Sequence, residues 1–155
     1  VRVNVATLPQ AEGSVLDRRR DLSSFLTKGL ADFEELAQPT DDQRTEIFRS
    51  LCALESQLAS GSERTLIILE SDFVESGYVA EFLNYANKPP ALMDDFEKII
   101  DAFEADNGKL PNFSGAEFIL VVTQGDIELA VWSARWWKKA LLHFGAKEVV
   151  IKAAL

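Results

Sequence analysis

The sequence predicts an α/β domain: a mostly parallel sheet flanked by helices in a three-layer, Rossmann-like arrangement. Three observations carry that expectation. Apolar runs of strand length alternate with amphipathic stretches of helical period along the whole chain. The run Leu66, Ile67, Ile68, Leu69 ends abruptly in Glu70, Ser71 and Asp72, as a parallel strand does when it delivers oxygen atoms to the C-terminal rim of a sheet. A second run, FILVVT, is continuously apolar, the pattern of a strand covered on both faces. With 155 residues, 47% of them hydrophobic, the chain is long enough for one domain with a real core and too short for two. Residues 1–155 are therefore read as a single domain.

Taken in order, VRVNVAT alternates apolar and polar residues and stops at Pro9, which reads as a strand near an edge. After a turn at Gly13, Leu16, Leu22, Phe25, Leu26, Leu30, Phe33 and Leu36 recur at spacings of three and four, one face of a helix. Pro39 breaks it, and Thr40 opens the next helix. TDDQ has the form of a capping box, in which Thr40 accepts the Gln43 amide and the Gln43 side chain returns to Thr40. Ile47, Phe48, Leu51, Cys52, Leu54 and Leu58 form its buried stripe, and the central strand follows from Thr65. Tyr78–Tyr85 has a short helical pattern, broken by Pro89 and Pro90. Phe96, Ile99, Ile100 and Phe103 mark an amphipathic helix ending near Gly108, and LPNFSG leads into the strand FILVVT. Asp126 is placed to cap a long helix with Ile127, Val131, Ala134, Trp137, Leu141 and Phe144 on one side. Gly145 stops it, and EVVIKAA is the last strand.

Composition narrows the function classes. Twenty-five acids against 16 Lys and Arg give a net charge of −9, which disfavours unspecific attraction to nucleic acid or an anionic membrane. A protein partner with a basic or neutral surface, or a divalent cation, suits such a surface better. One cysteine, Cys52, precludes an internal disulfide framework. No apolar run approaches the roughly 20 residues of a membrane span. The motifs G-x-S-x-G, G-x-G-x-x-G and Walker A are absent, and the single histidine, His143, leaves no His-rich zinc site. Composition does not assign a compartment.

A strand ending in Ser71-Asp72, an upstream Thr40-Asp41 opening a helix, a strand after NFSG, and a final helix carrying Trp137, Leu142, Phe144, Gly145 and Ala146 resemble the later two thirds of a von Willebrand factor A-like domain. The resemblance implies a doubly wound fold with a metal-ion-dependent adhesion site. It gives Thr40 the threonine role and Asp72 the third-loop aspartate role, with Mg²⁺ as the cation. The Asp-x-Ser-x-Ser loop that follows the family's first strand has no match before Thr40. Together with the start at Val1, in mid-strand pattern and without an initiator Met, this leads to the expectation of a domain truncated at its N-terminus.

The resemblance implies a binding or scaffold module that engages a protein partner. A hard cation takes few carboxylates with hydroxyls and keeps a position for a partner's oxygen, and Thr40 and Asp72 are oxygen donors of that kind. The competing reading of the two residues is purely local, Thr40 as a helix N-cap and Asp72 as the cap of the segment after its strand. A different class is a small-molecule or metal-dependent enzyme on a Rossmann-like sheet, with Asp72 and Glu75 as acid, base or ligands. Three tryptophans within six positions, Trp132, Trp136 and Trp137, are more than one helix face can bury unless the helix is widely covered. Trp136 with Arg135 and Lys139 is accordingly a candidate partner surface.

Overall fold

The computed structural model describes residues 45–58, 65–123 and 127–153. The expected strand VRVNVAT, the helical region Leu16–Leu36, Thr40 with its capping box, and the Asp126 cap lie outside the described residues. The elements run α1 (Ile47–Gln57), β1 (Leu66–Ser71), a 3-10 turn (Phe82–Tyr85), α2 (Ala91–Asp94), α3 (Phe96–Asn107), β2 (Glu117–Val122), α4 (Ile127–His143) and β3 (Glu148–Ala153). The three strands are parallel in the order β1-β2-β3, with Leu66 opposite Glu117 and Glu117 opposite Glu148. This is an α/β fold of Rossmann-like character: an open parallel sheet flanked by helices.

One face of the sheet carries Ile67, Leu69, Phe118, Leu120 and Val149, all buried, and α4 packs on it against β2 and β3. Helices α1, α3 and α4 share an aromatic core: Phe48 stacks on Phe103 with ring centres 4.1 Å apart, and Trp136 lies 5.2 Å from Phe96 and 4.9 Å from Trp137. The amphipathic periods behind α1 and α3 are those read from the sequence, with Ile47, Phe48, Leu51 and Leu54 buried in α1 and Phe96, Ile99, Ile100 and Phe103 in α3. Gly108 ends α3 at φ +76° and Gly145 follows α4 at φ +90°, the left-handed conformation that lets a helix stop within one residue.

Four details differ from expectation. The helix expected to open at Thr40 and carry the stripe from Ile47 starts only at Ile47, since Thr45 and Glu46 are not helical. The Thr45 carbonyl instead accepts the Ser76 amide at 2.9 Å. Val131 faces solvent, and the buried stripe of α4 runs through Leu129, Ala130, Ala134, Trp137 and Leu141. Trp136, expected to anchor an exposed partner surface, is 0% exposed. The ring lies between Phe82, Phe96, Phe103 and Trp137, because α4 is covered by the 3-10 turn and α3 as well as by the sheet. Finally, the second face is bare at β1, where Leu66 and Ile68 are 51% and 54% exposed, while on β2 the same face is half-buried at Ile119 and Val121 and buried at Glu117.

Topology explains the bare face. Strands laid down in sequence order, with crossovers of one hand, put every connecting helix on the same side. Covering the other side takes a reversal of strand order, and no reversal occurs among the described strands.

Candidate functional site

The loop after β1 is built by its own side chains. Asp72 Oδ1 accepts the Val74 amide at 3.0 Å and the Ser71 hydroxyl at 3.3 Å, while Ser71 Oγ accepts the Phe73 amide at 3.1 Å. Asp72 thus caps its own turn, the local role foreseen for it. Between those bonds Phe73 takes φ +59°, a left-handed conformation that costs a bulky residue about 1–3 kcal/mol. Two anchors hold it there: the ring is 1% exposed, and its carbonyl accepts the Trp137 indole N–H at 3.2 Å.

Glu75 ends this loop inside the protein. It is 2% exposed, and its Oε2 accepts the backbone N–H groups of Ile47 at 2.7 Å and Phe48 at 3.3 Å. A carboxylate from a distant loop therefore caps α1, meeting the donors and the positive end of the dipole that every helix start presents. Burial pushes the Glu75 pKa up to about 7, with nearby Glu46 and Glu81 adding to the rise and the two amide bonds opposing it. The same loop is tied down by the Phe82 amide, which donates to the Glu75 carbonyl at 2.8 Å, and by the Ser76 hydroxyl, which donates to Glu81 at 3.0 Å.

This geometry separates the two acids considered as catalytic partners. Asp72 is half-buried at the strand end, whereas the Glu75 carboxylate turns inward to the start of α1. The sequence does not announce that role, because Glu75 and Ile47 are 28 residues apart. The only local sign is the apolar pair Phe73-Val74 just before it, which draws the loop into the core.

As a cation cradle, the described residues are insufficient. Among them no group of three or more His, Cys, Asp or Glu side chains is arranged to hold a metal ion. Oδ1 of Asp72 is committed to the turn, which leaves Oδ2 as its one oxygen for a ligand. A Mg²⁺ ion asks for near-octahedral oxygen coordination, so these residues alone do not fit the cation. Thr40 lies outside the described residues.

The remaining candidates are on α4. Arg135 is exposed, with its guanidinium 4.8 Å from the Trp132 ring centre. Lys139 sits 3.7 Å over the Phe96 ring and 3.8 Å from Glu97. Both cations are on the surface, while the tryptophan between them is in the core. Trp132 is the half-buried member of the three. A separate groove of about 490 Å³ lies between the end of α4 and β3, lined by Lys138, Leu142, Lys147 and Val150 among others. Among the described residues, no helix is long and apolar enough to cross a membrane.

The feature that sequence reasoning missed is the open side of the sheet. Glu117 donates to the Thr65 carbonyl at 2.8 Å and Thr123 to the Ser71 carbonyl at 2.9 Å. Backbone groups alternate in direction along a strand, so those of Ile67, Leu69 and Ser71 face β2 while those of Leu66, Ile68 and Glu70 face away. No strand among the described residues pairs with that outer edge. Exposed apolar side chains and an edge that no described strand pairs with thus coincide on β1, immediately before the strained loop. No family model matches the chain, and neither the curated proteins nor the solved structures give a match.

Proposed function

We propose that this chain is a binding or scaffold module of von Willebrand factor A-like character that engages a protein partner through the open side of its sheet. The observation that carries this reading is the exposure of Leu66 and Ile68 on a parallel strand. Parallel sheets occur almost only with both faces covered, so a bare apolar face on one is a surface awaiting cover. The loop Ser71–Glu75 follows directly on the C-terminal end of the same strand. The divalent cation of the family resemblance is a separate expectation, toward which Asp72 offers one oxygen and the described residues complete no site. Glu75 belongs to the scaffold, as the cap of α1.

The test is recovery of partners from the protein's own cells, using the wild-type chain and Ile68→Lys, followed by reconstitution from purified components. The reading expects a partner that is lost with Ile68→Lys and binds the wild-type chain directly. Equal recovery by both proteins would overturn it. Mn²⁺ titration of the wild-type chain against Asp72→Ala tests the cation separately: saturable binding lost in the variant supports it, and no difference between the two removes it.

A further inference from the structure

We infer that the outer edge of β1 is a receptor for an extended peptide, which adds to the sheet as a further strand. This rests on the binding-module reading above and specifies the form in which the partner is bound. The edge presents the outward N–H and C=O groups of Leu66, Ile68 and Glu70, and none of these meets a strand among the described residues. Unpaired groups in such a row are a template for another strand, and strand addition is a recurrent mode of peptide capture.

The side chains specify the peptide. Leu66 and Ile68 stand exposed on the open face, so an added strand gains by placing apolar, β-branched residues beside them at alternate positions. Glu70 is exposed at the next position on that face, in a chain of net charge −9. A lysine or arginine in the peptide complements it. The natural defences of an edge are a proline, charged side chains and above all lysine, or a bulge; LIILES has no proline or lysine, and its single charge is Glu70 near the end of the strand. The β3 edge differs in this respect, since Lys152 lies within the strand. The expected occupant is therefore an extended peptide, apolar at alternate positions and basic toward one end, seated on β1.

Panning a random linear peptide display library against the full-length chain tests this, with Glu70→Pro for counter-selection. That substitution removes one outward N–H and an exposed side chain while sparing the groups that face β2, and proline is tolerated at such edge positions. Near-ultraviolet circular dichroism of the buried tryptophans checks that the variant folds. The expected result is enrichment of peptides with alternating apolar residues and a basic residue, bound about tenfold more weakly by Glu70→Pro, the loss of one well-made hydrogen bond. An enriched peptide N-methylated at its alternate amides should lose as much against the unaltered chain, which keeps the test valid if the variant misfolds. No enrichment, or peptides indifferent both to Glu70→Pro and to N-methylation, would overturn the inference. Sensitivity to Ile68→Lys alone would remove the added strand and leave the apolar face as the binding surface; indifference to all three changes would remove both.

Discussion

The two faces of one sheet are made from the same kinds of residue and meet opposite fates. On the covered face, Ile67 and Leu69 of β1 are buried. On the other, Leu66 and Ile68 of the same strand are more than half exposed. Their neighbours across the ladder, Ile119 and Val150, are half-buried. Residue type does not decide this, since all four β1 side chains are Leu or Ile. Connectivity does: sequential strand order with crossovers of one hand delivers the helices that connect the strands to one side.

The comparison breaks most easily at its covered side. Truncating Trp136→Ala, inside the ring cluster, should cost about 3–5 kcal/mol in urea unfolding. A loss below about 1 kcal/mol would mean that the aromatic layer is looser than it looks.

Next in size is Glu75, a buried carboxyl group beside that core. Its folded pKa is raised from 4.5 to about 7 by burial. A raised acid pKa means that the folded state binds the proton more tightly than the unfolded one. The contribution is therefore complete below pH 4.5 and is lost as pH rises through about 7. At about 1.4 kcal/mol per pK unit, that window is worth about 3 kcal/mol. Stability measured between about pH 5 and pH 8 should fall by an amount of that order in the wild-type chain, and by clearly less in Glu75→Gln, which keeps an acceptor for the α1 amides. Parallel pH profiles for the two proteins would contradict the assignment.

On the open face the expected effect is the smallest. Ile68→Thr, which keeps the β-branch, should change stability by no more than about 0.5 kcal/mol, as surface substitutions do. A loss comparable to that of Trp136→Ala would show that Ile68 is covered.

Much of this architecture is legible in the sequence where local period and turn chemistry speak together. The α3 stripe Phe96, Ile99, Ile100, Phe103 with its stop at Gly108, and the strands at 66, 117 and 148, follow from pattern alone. Asp72 as a turn cap follows from a short acceptor placed two residues before an amide. What escapes is set by pairs distant in sequence. Glu75 caps a helix that begins 28 residues earlier, and no capping rule looks that far. Trp136 is buried because the 3-10 turn and α3 cover a second side of α4, a fact of packing rather than of period. Likewise, a continuous apolar run signals a strand able to be buried on both faces, and does not say that both faces are covered.

The direct measurement is the labelling rate of a cysteine placed at Ile68, compared with one at Ile67, in a Cys52→Ala background of the full-length chain. The two positions are adjacent and differ only in the face they occupy. Ile68→Cys should react on the order of a hundredfold faster than Ile67→Cys, whose reaction waits on opening of the core. Equal protection at both positions would show that the second face is already covered, and the account of this chain as an open-sided binding module would fall.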